Sequence, residues 1–86
     1  MVAEKTECDG SEISKGKLQD VENCASQCEG VASMFIFGTN DFGETVCNNE
    51  GCPCWCETSA TEERTCNKQN NNRFRLYQNS NIKPGE

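Results

Sequence analysis

Eight cysteines carry most of the chemistry legible in this chain: Cys8, Cys24, Cys28, Cys47, Cys52, Cys54, Cys56 and Cys66. An even number in 86 residues fits a framework of four disulfides. The competing use is metal ligation. Histidine is absent, so a zinc site would be all-thiolate, and such sites are usually built from two CxxC pairs. The spacing here is CxxxC at Cys24 and Cys28, then CxCxC at Cys52, Cys54 and Cys56. A redox pair also favours CxxC. The pattern therefore predicts structural disulfides without metal or cofactor, in a secreted, extracellular and oxidising setting.

Other chemistry is sparse. Without histidine the usual general base is missing. Fourteen Asp and Glu could supply a carboxylate dyad, but they fall in polar stretches where nothing apolar would raise a pKa. No nucleophile elbow, phosphate loop or catalytic cysteine signature is present. No catalytic residue is expected, and hence no enzyme. A net charge of −6 argues against nucleic acid and anionic membrane as partners. Asn40, Asp41 and Glu44, and then Asn48, Asn49 and Glu50, are oxygen-rich enough to interest calcium. Their spacing matches no EF-hand, and turns favour these residues anyway.

The elements that hold the cysteines follow from periodicity. Only 34% of residues are hydrophobic, so the core alone gives marginal stability. Residues 1–7 are polar and read as a flexible terminus; residues 9–17 read as loop or short extended segment. Leu18, Val21, Cys24, Ala25 and Cys28 recur at three- and four-residue steps, predicting a helix over 20–29. Asp20 is its expected N-cap, Glu22 complements the first turn, and Gly30 ends it. Residues 33–38 read as a strand and 39–44 as a turn. Residues 45–47 should start another strand, 48–51 a tight turn, and 52–57 a strand with strict alternation. Then come a polar loop at 58–64, an asparagine-rich turn at 67–72, a last strand at 73–77 and a polar tail at 79–86. The order predicts an α+β domain with one helix packed on a small curved antiparallel sheet. Met1–Lys5 is too polar for a signal-peptide core, so a mature domain with an added initiator Met is expected. No run is long and apolar enough to span a membrane, and no Asn-x-Ser/Thr sequon occurs.

Alternation in the CxCxC strand turns its thiols to one face and Pro53 and Trp55 to the other. The helix presents Cys24 and Cys28, at i and i+4, on one face. Two parallel rungs between helix and strand are then natural. Cys47 would close the hairpin, and Cys8 with Cys66 would clasp the ends. The expected pairing is Cys8–Cys66, Cys24–Cys56, Cys28–Cys54 and Cys47–Cys52. Cys28–Cys52 with Cys47–Cys54 remains the nearest alternative.

The segment Asp20-Val21-Glu22-Asn23-Cys24-Ala25-Ser26-Gln27-Cys28 resembles the helix signature of PAN/apple-like domains. The strand Phe35-Ile36-Phe37, the cysteine-rich central strand and the closing Arg75-Leu76-Tyr77 follow in matching order. The likeness spans residues 8–78 and is nearest to invertebrate apple-like variants, although the CxCxC cluster is denser than usual. The resemblance implies nested helix-to-strand bridges in an extracellular module that binds protein or carbohydrate without catalysis. A binding face follows if the aliphatic sides, Met34 with Ile36 and Phe74 with Leu76, meet the helix. Trp55, Arg75, Tyr77 and Phe35 would then lie outward, where such residues make contact hot spots or stack on sugars. Core packing is the competing role for each aromatic. The expected function is recognition or cell adhesion, binding a protein or glycan, with no nucleic acid and no membrane insertion. The chain would be a domain of a larger extracellular protein or a small secreted monomer. The alternative is a secreted effector such as a toxin, pheromone or protease inhibitor, with Arg64 as the tempting specificity residue.

Overall fold

A computed structural model describes residues 1–79. The elements are β1 (Ala3–Cys8), β2 (Glu12–Leu18), α1 (Val21–Cys28), β3 (Met34–Gly38), β4 (Cys52–Glu57), a 3-10 turn (Glu63–Thr65) and β5 (Lys68–Gln78). The expected α+β architecture is present. One helix packs on a five-stranded sheet ordered β1-β5-β3-β4-β2, with every pairing antiparallel.

The helix forms where capping and periodicity agree. The Asp20 carboxylate accepts the Asn23 amide at 2.9 Å, which contributes about 1 kcal/mol to the helix. After Cys28 the chain reverses through Gly30 at φ +82°, and the amides of Val31 and Ala32 donate to the Cys28 carbonyl at 2.9 Å. Both helix cysteines are completely buried.

Four disulfides hold the framework: Cys8–Cys66, Cys24–Cys54, Cys28–Cys56 and Cys47–Cys52. The outer two are as expected. The central rungs correct the sequence reading, which crossed them as Cys24–Cys56 and Cys28–Cys54. The reason is chain direction. The short connection from α1 to β3 reverses the chain, and β3 is antiparallel to β4. The helix and β4 therefore run the same way, so first cysteine meets first and second meets second. The spacing also matches. Four residues of helix rise about 6 Å and two residues of strand about 6.6 Å.

β3 is central and buried along its whole length, because both sheet faces are covered there. On one face Cys24, Cys28, Phe35, Phe37, Cys54 and Cys56 form a core beneath α1. On the other, Cys8, Met34, Ile36, Ala60, Cys66, Phe74 and Leu76 pack beneath the segment that the Cys8–Cys66 bridge anchors.

Several local expectations change. Residues 1–7 do not fray: Ala3–Cys8 pairs with β5. Residues 9–17 contribute the second edge strand, β2, against β4. Residues 45–47 form no strand; the Asn40 side-chain oxygen accepts the amides of Val46 and Cys47 at 2.8 and 2.9 Å. The asparagines at 67–72 are no turn, since β5 runs unbroken from Lys68. Asn79 is buried, with its side-chain Nδ2 donating to the Ala25 carbonyl at 2.9 Å. The rest of the expected tail, 80–86, lies outside the described residues.

Candidate functional site

The rungs decide which side chains meet the helix. Cys54 and Cys56 must face α1, and residues directly opposite in a ladder share a face. Phe37 lies opposite Cys54 and Phe35 opposite Cys56; Tyr77 and Arg75 lie opposite Phe35 and Phe37 in turn. The aromatic side of β3 therefore meets the helix, and the aliphatic side turns away. This reverses the assumption behind the expected binding face. Tyr77, Arg75 and Phe35 share the helix-side face. Trp55, opposite Ile36, is on the other face, half-buried against the Met34–Leu76 cluster.

The helix packs on β2, β3 and β4. A cavity of about 150 Å³ opens between α1 and β5, lined by Val21, Glu22, Ala25, Phe35, Tyr77 and Asn79. Its floor is aromatic. The Phe35 and Tyr77 rings stack at 5.2 Å between centroids, 6° from parallel. Phe35 is almost fully buried and supports Tyr77, which is half-buried. Burial pushes the Tyr77 phenol upward, so it is a neutral hydrogen-bonding group at physiological pH.

Beyond Tyr77 the face continues as a polar shelf. Arg75 donates to the Asp41 carboxylate at 2.6 Å and to the Thr39 hydroxyl at 3.3 Å, and lies 3.8 Å from the Glu4 carboxylate. Its guanidinium also stands 5.0 Å from the centre of the Phe42 ring, and the Lys5 ammonium stands 5.4 Å from it. These are cation–π distances. The Arg75 hydrogen bond holds Asp41 below the ordinary carboxylate range, and the same bond raises Arg75. Phe42 was missed from sequence because it sits in a turn. The available signal was a large aromatic among Asn40, Asp41 and Gly43, with no local reason to be there.

Several oxygens of the oxygen-rich loops are already engaged within the fold. Asn40 holds residues 46 and 47, Asp41 holds Arg75, and the Asn48 side-chain oxygen accepts the Glu50 amide at 2.8 Å. Arg64 lies in the 3-10 turn, 2.5 Å from the Glu62 carboxylate.

One carboxylate departs sharply from expectation. Glu57, at the end of β4, is completely buried. Its Oε2 accepts the Cys8 amide at 3.0 Å, and its Oε1 has no hydrogen-bond partner among the described residues. Glu12 lies directly opposite in the β2–β4 ladder. Burial, reinforced by Glu12 and Glu7, pushes Glu57 up to about 8, and burial raises Glu12 as well. The acidic residues do not all lie in polar surroundings, because β1, β2 and β4 bring these three together with Glu57 fully buried.

Comparison with known protein families, curated proteins and solved structures finds no match to this chain. The geometry establishes a small disulfide-rich α+β domain. Its four bridges point to an oxidising compartment, and among the described residues no helix is long and apolar enough to cross a membrane.

Proposed function

We propose that this chain is a secreted, extracellular recognition module of PAN/apple-like type, binding a protein or glycan ligand without catalysis. The observation that carries the reading is the helix–β5 groove and its shelf. An aromatic ring, Tyr77, lies half-buried on a second ring, beside an arginine held by three partners. Such a surface loses little side-chain entropy on contact, since stacking and hydrogen bonds already restrain both groups. Tyr and Arg are also the residue types that dominate contact energies. A flat aromatic beside fixed polar groups suits the face of a sugar or the backbone and side chains of a protein loop. The PAN/apple likeness supports the same reading, through the capped CxxxC helix bridged to a central strand.

The inhibitor alternative has less support. A protease cleft takes an extended loop, whereas Arg64 lies in a 3-10 turn and pairs with Glu62.

The test is to probe the labelled chain against a glycan array and an array of extracellular ectodomains, alongside three variants. Tyr77→Ala and Arg75→Ala should each abolish or strongly weaken a captured ligand. Trp55→Ala, on the opposite face, should keep it. Capture lost with Trp55→Ala and retained by the other two would overturn the assignment of the groove. No capture on either array would overturn the recognition reading.

A further inference from the structure

We propose that Glu7, Glu12 and Glu57 form a binding site for calcium that ties together the two edges of the sheet. The site stands apart from the helix–β5 groove and does not depend on the recognition reading.

Topology explains why three carboxylates meet here. β1 and β2 stand at opposite ends of the strand order, yet residues 9–11 join them directly. The sheet must curl so that its edges approach. Two hydrogen bonds mark the approach of the β1 end to the β4 end: the Ser59 hydroxyl to the Asp9 carbonyl at 3.1 Å, and the Cys8 amide to the Glu57 carboxylate at 3.0 Å. Glu7 comes from β1, Glu12 from β2 and Glu57 from β4, so the cluster sits where the two edges converge.

The distances suit a calcium-sized ion. One carboxylate oxygen from each residue lies within 4.8 Å of the others. Three oxygens around one calcium at about 2.4 Å stand roughly 3–4 Å apart, which lies inside that limit. A hard cation prefers carboxylate oxygens, and its remaining positions are open to backbone carbonyls and water.

A cluster of acids alone would not establish a site, since solvated carboxylates often lie together. Glu57 is the second observation. It is 0% exposed, and its Oε1 has no hydrogen-bond partner among the described residues. An unsatisfied buried carboxylate oxygen costs several kcal/mol unless a proton or cation meets it. Like charges directly opposite in a ladder, as Glu12 and Glu57 are, add to that cost. A divalent cation removes both terms at once. It would act as a fifth staple, closing the end of the sheet near the Cys8–Cys66 bridge.

The experiment is a calcium titration of the intact, oxidised chain at pH 7.5, followed by calorimetry and by amide NMR. Binding should fall in the range typical of extracellular modules, about 10⁻⁴–10⁻³ M. The Cys8 amide, which donates to Glu57, should shift most, together with residues 9–12 and 57. Glu57→Gln and Glu12→Gln should each weaken calcium at least tenfold. Asp41→Asn and Glu50→Gln, in the oxygen-rich loops, should leave it unchanged. If Glu57→Gln does not fold, the less buried Glu12→Gln decides the matter. Unshifted amides at 10 mM calcium, or affinity untouched by either glutamate variant, would overturn the site and leave a shared proton as the answer to the orphaned oxygen.

Discussion

Rung order can be tested by removing the central cysteines in native and crossed pairs. Cys24–Cys54 and Cys28–Cys56 span 30 and 28 residues. Closing one such loop in an otherwise open chain stabilises by about 3.5 kcal/mol in the chain-entropy picture. The second rung closes much less. With one in place, the remaining ring comprises residues 24–28 and 54–56, and closing about eight residues contributes about 2.5 kcal/mol. The double variant Cys24→Ala/Cys54→Ala should therefore lose about 2.5 kcal/mol and contain no free thiol. The variant Cys24→Ala/Cys56→Ala breaks both native rungs and strands Cys28 and Cys54. It should lose up to about 6 kcal/mol, less whatever a crossed bridge against the helix–strand alignment recovers. Guanidinium unfolding gives the stabilities and thiol titration gives the free cysteines. If Cys24→Ala/Cys56→Ala were the more stable of the two and free of thiols, the parallel alignment of helix and β4 would be wrong.

The raised Glu57 makes stability depend on pH. In a chelator, the folded chain holds this proton up to about 8, while the unfolded chain releases it near 4.5. Stability from this group is therefore unaffected below about pH 4.5 and declines as pH rises to about 8, by up to about 5 kcal/mol. Glu57→Gln should flatten that slope in denaturant melts recorded from pH 4 to 9; an unchanged slope would show that another group sets it. Gly51 adopts φ +119°, and a β-carbon there would stand 2.1 Å from the Leu18 carbonyl oxygen. Gly51→Ala should lower stability by roughly 2–3 kcal/mol, and a melting temperature within a degree of the parent would refute the close approach. Leu76 is fully buried in the core away from the helix, so Leu76→Ala should lose about 2–5 kcal/mol by guanidinium unfolding. A loss below about 1 kcal/mol would mean that this second core is loosely packed.

The aromatic face illustrates how local and long-range information separate. Alternation correctly divided each strand into two sides. It could not say which side of β3 meets the helix, because both sides of a central strand are apolar. The CxCxC register against Phe35 and Phe37 settles that, and it sends Trp55 to the face opposite Tyr77 and Arg75. Edge strands were hidden for a different reason. β1 and β2 need few apolar residues, and each carries an irregular step, at Lys5 and around Gly16, that interrupts alternation. The same irregularities blunt an exposed edge against pairing with other chains.

What the amino-acid sequence determined by itself was local: a capped helix with two thiols on one face, a strand with alternating thiols, a strand of aromatics, and too little apolar surface to fold without bridges. Those features depend on residues three or four apart in a helix, or two apart in a strand. The order of the rungs, the face that binds α1, and the meeting of Glu7, Glu12 and Glu57 depend on chain direction and sheet curvature. These properties emerge only when segments distant in sequence are packed together, so the tertiary structure alone decided them. The cysteines announced a staple; the direction of one helix relative to one strand decided what each thiol holds.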